Sequence, residues 1–259
     1  MKIKFRKIPV SKLQEDVLRM TVDYLAIESV INLYFNDKKI TSLLGSPNDA
    51  EFLLLGHLLA EGYLDNRQIM RTNNSVIVKS GTNGIDAYLE TDLVMSVEPK
   101  TTGITTTSCG ACNSEGLDEL INNLPIVSAK FDFDDSILHS GMESMKLLQD
   151  GFQKTGGMHS AALLSIDGVI SCFSEDIGRH NAVDKVIGKS LDSEVSSNHI
   201  LLLSGRCGWD IVAKASRANI TVIEIGDAPR PPIVISELTS RLRTSSPETN
   251  PYRAASCTP

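Results

Sequence analysis

Across residues 25–35 apolar and β-branched positions alternate imperfectly, Asn36-Asp37 interrupts them, and residues 39–44 resume the extended pattern, which predicts a β-hairpin. Ser46-Pro47-Asn48-Asp49 is a helix-start signal, and Phe52, Leu55, Leu58 and Leu59 then recur at helical spacing until Gly62. One amphipathic helix packed on the hairpin is expected. Residues 76–78 and 87–97 read as further strands, so residues 1–125 are expected to form a small α+β domain. Asp135 or Ser136 then caps a long helix running through Leu147, Leu148 and Phe152, which Gly156-Gly157 closes. Residues 161–165 and 169–173 flank Asp167-Gly168, a strong hairpin signal. Thereafter a helix over 181–191, a buried strand over 200–203, a helix over 209–218 and a strand over 221–225 complete a βαβαβ order. That order predicts parallel strands with right-handed crossovers in an α/β domain over residues 126–244. Residues 245–259, rich in Ser, Thr, Pro and Ala without periodicity, read as a mobile tail.

With 259 residues, 41% of them hydrophobic and 22% charged, the chain has the composition of a compact globular protein large enough for two domains. The formal net charge of -7 argues against broad attraction to nucleic acid or to an anionic membrane, so any anion site is local. No apolar run approaches the roughly 18 residues that span a bilayer. Met1-Lys2-Ile3-Lys4 does not open a secretory signal, and five cysteines with a single close pair suit a reducing cytoplasm. A soluble cytoplasmic protein is expected.

That close pair lies in Ser108-Cys109-Gly110-Ala111-Cys112-Asn113. Two thiols separated by two residues can reach one another, one metal ion or one transferred sulfur atom, and Gly110 lets the backbone bend to allow it. A structural zinc site needs four ligands, and no second paired motif is present. The zinc deaminase pattern also fails, because Ser108 stands where that motif has proline and no His-x-Glu lies upstream. No metal held by the protein itself is therefore expected. A dithiol-disulfide oxidoreductase remains open, although the βαβ context of a thioredoxin-like motif is missing around it. The other use is sulfur relay, in which one thiolate takes a sulfur atom as a persulfide and its neighbour helps release it.

An open parallel sheet binds its ligand at the carboxyl ends of its strands. Three loops fall there: Glu175-Asp176-Ile177-Gly178-Arg179-His180-Asn181, Ser204-Gly205-Arg206-Cys207-Gly208 and Gly226-Asp227. The first two lead into helix N-termini and each brings an arginine, a combination that favours a phosphate-bearing ligand. Glu175, Asp176, Arg179, His180, Asn181, Ser204, Gly205 and Arg206 are the candidate ligand-binding residues. The plainer readings are a helix cap for Asn181 with Asp184 in the first turn, a core-edge position for His57 and a packed thiol for Cys172.

The motifs resemble those of the FdhD/NarQ family of formate dehydrogenase accessory sulfurtransferases. Ser46 to Gly62 looks like that family's first helix, Cys109-Gly110-Ala111-Cys112 fits its cysteine motif, and Thr155-Gly156-Gly157-Met158-His159-Ser160-Ala161 is closer still. The run from Glu175 through Arg179-His180-Asn181 to Gly188 is highly specific, and Ser204-Gly205-Arg206 matches the next landmark. The resemblance implies a cytidine-deaminase-like three-layer second domain without its zinc, and a homodimer. It also implies sulfur transfer from a cysteine desulfurase to the molybdenum or tungsten of a bis(molybdopterin guanine dinucleotide) cofactor destined for formate dehydrogenase. Cys109 would carry the persulfide, with Cys112 assisting. A non-enzymatic cofactor-binding chaperone is the alternative from another class. After Ala228-Pro229 the family usually continues with a helix and a Phe-x-Arg-Gly…Asn-x-Tyr strand toward the cofactor, and residues 230–259 here show no such segment.

Overall fold

The structure is a computed structural model that describes residues 4–14, 16–69, 76–81, 84–99, 104–105, 124–127, 134–192, 199–226 and 231–238. The Cys109 and Cys112 loop, Asp227 and the tail over 245–259 lie outside the described residues.

Strands β1 (Phe5–Gln14) and β2 (Val17–Ala26) form an antiparallel ribbon of their own. The expected strand over 25–35 is thus two elements: β2 ends at Ala26, and β3 (Ser29–Phe35) begins a different sheet. As predicted, β3 turns at Asn36-Asp37 into β4 (Lys38–Gly45) and pairs with it antiparallel. Helix α1 (Ala50–Ala60) follows, with the short α2 (Asn66–Ile69), β5 (Val76–Gly81), β6 (Gly84–Leu89) and β7 (Ile104–Thr105). The sheet order is β5-β6-β3-β4-β7, with β6 parallel to β3. Residues 90–97, expected to extend a strand, have no regular structure.

Helix α1 is not amphipathic, contrary to expectation, because all but Glu51 and Phe52 of its residues are buried. One face meets the first sheet and the other meets a second helix, so water reaches little of it. A Cβ added at Gly56 would come 1.7 Å from the Asp184 carbonyl oxygen, and one at Gly188 would come 2.0 Å from that of Phe52. Glycine at both positions lets the two helix backbones touch.

In the second half, Asp134 caps α3 (Asp135–Leu148) by accepting a bond from the Ser136 N–H at 2.9 Å. The predicted single helix breaks at Gln149, and α4 (Asp150–Thr155) ends where the Gly156 N–H donates to Phe152 at 2.7 Å. Then come β8 (His159–Ser165), β9 (Ile170–Asp176), α5 (Arg179–Asp192), β10 (His199–Leu203), α6 (Trp209–Arg217), β11 (Val222–Ile225) and β12 (Ile233–Val234). The sheet order is β12-β11-β10-β8-β9. Strands β10 and β11 are parallel neighbours, but β8 is antiparallel to both β9 and β10 and lies between them. The sheet is therefore mixed, with the expected hairpin partner β8 inserted between the parallel strands β9 and β10. Strands β9, β10 and β11 nonetheless run in one direction, so the three predicted loops leave from one edge.

Helices α1 and α5 lie between the two sheets, and one core joins Ile31 and Leu33 of β3 to Val183 of α5 and Ile223 of β11. On the far face of the second sheet, Leu138, Met142 and Met145 of α3 cover Ala162, Leu164, Ile200 and Leu202. Among the described residues no helix is long and apolar enough to cross a membrane.

Candidate functional site

At the shared carboxyl edge of β9, β10 and β11 the structure opens a cavity of about 440 Å³. Its floor is His159, Ser204 and Gly226, and its walls come from Met142, Lys146, Gln149, Phe152 and the Gly156-Gly157-Met158 turn. The floor is rigid, because the Ser160 N–H donates to the Ser204 hydroxyl at 2.8 Å and the Ser204 N–H donates to the Ser160 carbonyl at 3.1 Å. Gln149 donates to the Ser160 hydroxyl at 2.6 Å.

His159 is half-buried, and burial, followed by the Arg179 and Arg206 guanidinium groups, holds its imidazole below the usual histidine range. The charges of both arginines predicted for the site are thus felt at His159, although neither arginine is among the residues that line the cavity. A Cβ at Gly205 would sit 3.0 Å from the His159 Nδ1, so the loop passes close to the ring and a side chain there would press on it. The Nε of Arg179 is buried without a hydrogen-bond acceptor among the described residues. An orphaned guanidinium donor of this kind suits an anionic ligand.

His180 opens α5 and pairs through Nε2 with Asp210 in the first turn of α6, which ties the two helix starts together. Burial pushes the Asp210 carboxyl up, but the bond and charge of His180 outweigh it and hold the group below the usual carboxylate range.

Glu175, Asp176 and Asn181 are placed otherwise. The Glu175 carboxylate accepts bonds from the Phe152 N–H at 2.8 Å, the Gly151 N–H at 2.9 Å and Lys4 at 2.8 Å, and so caps α4 from inside. Asp176 is fully buried, bound by Lys185 at 2.5 Å, the Ser46 N–H at 3.0 Å, the Gly178 N–H at 2.7 Å and Asn181 at 3.1 Å. Asn181 also donates to the Leu44 carbonyl at 2.8 Å. All three side chains spend their hydrogen-bonding capacity within the protein. They fix α4, the Gly45-Ser46 corner and the start of α5, which frame the cavity.

Deeper still lies a cluster that the sequence reading did not find. Lys214 bonds Asp184 at 2.8 and 3.0 Å and Glu61 at 2.5 Å, and His57 meets Asp184 at 3.1 Å. The ligand atoms of His57, Glu61 and Asp184 lie within 4.8 Å of one another, and the cation among them is the Lys214 ammonium. His57 and Cys172 are buried as expected, whereas Asp184 belongs to this cluster and not to a solvated first turn.

The His159 assignment has a direct check. In an NMR titration the ring is expected to titrate below about pH 6.5, the ordinary histidine value, and to move upward in Arg206→Ala. An unmoved midpoint would place that guanidinium away from the ring.

The model of the FdhD/NarQ family matches residues 26–229. A sulfur carrier protein FdhD from Sulfolobus acidocaldarius is 30% identical over 235 residues, which cover 88% of this chain and 86% of that protein. The sulfur carrier protein FdhD of Mycobacterium tuberculosis is 30% identical over 233 residues, covering 85% and 84%. The crystal structure of a protein from Desulfotalea psychrophila, provisionally described as a formate dehydrogenase accessory protein, superimposes with a TM-score of 0.68 at 22% identity, covering 93% of this chain and 90% of that one.

Proposed function

Since the chain belongs to the FdhD/NarQ family, we propose that it is a sulfurtransferase that carries sulfur on Cys109 to a nucleotide-bearing metal cofactor held in the cavity between α3, α4 and the sheet edge. The observation that carries this reading is the buried Arg179 Nε, which has no acceptor among the described residues, at the same sheet edge as the cavity. Two arginines from the loops at this edge favour a diphosphate, and Phe152 in the cavity wall suits a planar base.

Cys109 takes the sulfane sulfur of a cysteine desulfurase as a persulfide. Attack of the Cys112 thiolate on the inner sulfur of the Cys109 persulfide closes a disulfide and releases the outer sulfur as hydrosulfide, for the molybdenum or tungsten of a bis(molybdopterin guanine dinucleotide) substrate. A dithiol reductant then restores the pair. The product is the sulfurated cofactor used by formate dehydrogenase. The same reading includes a cytidine-deaminase-like second domain over residues 126–244 and a cytoplasmic location.

The test is intact-mass measurement after incubation with a cysteine desulfurase and cysteine. One added sulfur atom is expected on the wild type and none on Cys109→Ala. Wild-type protein that gains no sulfur, or a gain that persists in Cys109→Ala, overturns the carrier role. Full maturation of formate dehydrogenase by the Cys109→Ala, Cys112→Ala double variant would instead make the protein a cofactor-binding chaperone.

A further inference from the structure

Beside the cavity already described lies a second one of about 410 Å³, and the two share Met142, Lys146 and Gly226 in their lining. They are neighbouring compartments along one side of α3. The lining positions Asp135, His139, Met142, Glu143 and Lys146 recur at helical spacing, so one face of that helix walls both. From Asp135 to Lys146 this wall runs roughly 16 Å at the helical rise per residue. Each compartment alone has the volume of a small-ligand site, which is about 300–1,000 Å³.

The second compartment differs from the first in its chemistry, because Asp135, Glu143 and Glu224 bring carboxylates to it while the first is lined by hydroxyl, amide and imidazole groups. Glu224 is out of keeping with its strand. Along β11, Ile223 and Ile225 turn to the central core, whereas Val222 packs under α3 with Ile200 and Leu202. Glu224 shares the face of Val222, half-buried, and so ends an apolar face with an acid that lines the cavity. Glu143 accepts from Lys146 at 2.9 Å, but the Asp135 carboxylate has no partner among the described residues. A carboxylate accepts two N–H donors side by side. The amino-oxopyrimidine ring that guanine and a pterin have in common presents such a pair, a ring N–H next to an amino group. Adenine sets a donor beside an acceptor and does not match.

We propose that the second cavity is the subsite for the pterin end of the ligand, with Asp135 and Glu224 accepting its ring N–H and amino group from facing walls. The assignment rests on the reading of the first cavity as a nucleotide site. The nucleotide end lies in that first cavity, and the diphosphate crosses the junction at Lys146. The bond of Lys146 to Glu143 joins two exposed side chains, a kind of pair that is weak in water, so it does not compete strongly with a phosphate. The two cavities together then fit a molecule with two heterocycles joined by a diphosphate. The carboxylates of the second decide which heterocycle enters it.

Calorimetric titration of the full chain tests this with three probes: guanosine diphosphate, diguanosine diphosphate, in which a diphosphate joins two guanosines, and the mixed compound with adenosine at one end. Guanine carries the same donor edge as a pterin, and the two dinucleotides have equal charge. The wild type is expected to bind diguanosine diphosphate about 10-fold or more tightly than the mixed compound. In Asp135→Asn with Glu224→Gln that preference should shrink to about threefold or less, while guanosine diphosphate, seated in the first cavity, holds within about threefold of its wild-type affinity. Asp135→Asn alone, exposed in the first turn of α3, is expected to lose part of the preference and carries the test if the double variant does not fold. No preference in the wild type, a preference that persists in the variants, or an equal loss of guanosine diphosphate would each overturn the proposal. A wild type that binds none of the three removes the nucleotide site and this extension together. One that binds guanosine diphosphate but treats the dinucleotides alike removes the extension alone.

Discussion

Replacement of Lys214 by methionine is expected to remove about 3–5 kcal/mol of stability at neutral pH, measured as a fall in the urea midpoint at unchanged slope. The apolar stem is kept, so the loss is that of the ammonium alone. Asp184 is wholly buried and would be left with a full negative charge facing His57 and Glu61. In the native protein burial pushes the Asp184 carboxyl up, yet Lys214 and the His57 bond hold it below the usual range, and Glu61 is lowered against its own burial mainly by Lys214. Lys214 is raised by the same two carboxylates against its desolvation.

The signs give a pH window. Carboxylates with depressed folded pKa values contribute stability that is present above their unfolded values near 4 and lost as pH falls through the folded ones. The raised Lys214 contributes fully below its unfolded value of about 10.4 and fades only as pH rises through its folded one. The network is therefore whole between about pH 5 and 10. In Lys214→Met a stranded carboxylate takes up a proton more readily than in the unfolded chain, so the deficit should shrink as pH falls from 7 toward 5. Combination with Asp184→Asn should recover much of the loss, as expected when both members of a buried pair are neutralised. A deficit under about 1 kcal/mol would mean that water already reaches the cluster.

This cluster also shows where the sequence stops being readable. Asp184 and Lys214 are thirty residues apart on two helices, and Glu61 sits at the end of a third element. Periodicity marks which face of each helix is apolar, but it carries no information about which charged residue of one helix meets that of another. The same limit explains Glu175 and Asp176. As acids in a polar run between a strand and a helix they look solvated, and only the fold shows that Gly151, Phe152 and Ser46 aim backbone N–H groups at them.

What local pattern determines was legible: the Asp167-Gly168 hairpin, helices α5 and α6 and the strands β10 and β11 all appear where the spacing predicts. Strand partners were not. A βαβαβ order is compatible with β8 inserted between β9 and β10, because insertion changes neighbours without changing direction. His159 lies inside the motif Thr155 to Ala161, yet nothing local marks it as a residue of the cavity that feels the charge of both arginines. The ribbon was hidden for another reason. Pro9, Ser11 and Leu13 alternate with Lys and Val neighbours, so neither strand reads as a half-buried one, which agrees with its exposure.

The second large effect concerns ligand affinity. Arg179→Ala and Arg206→Ala are each expected to weaken guanosine diphosphate, used as a fragment of the cofactor, by about 1.5–3 kcal/mol in calorimetric titration, roughly 10- to 150-fold. The two guanidinium groups arrive from different loops, β9–α5 and β10–α6, so losing one leaves the other in place. They share His159, however, and Arg179 acts on Asp210 as well. The double variant should therefore fall short of the sum of the single losses. Arg206 is exposed and Arg179 half-buried with an orphaned Nε, which makes Arg179 the larger loss of the two at moderate salt. Raising the salt concentration should erode the Arg206 contribution first, since water and counterions screen an exposed charge more completely. If both variants titrate as the wild type does, the phosphates bind elsewhere and the orphaned donor serves no ligand.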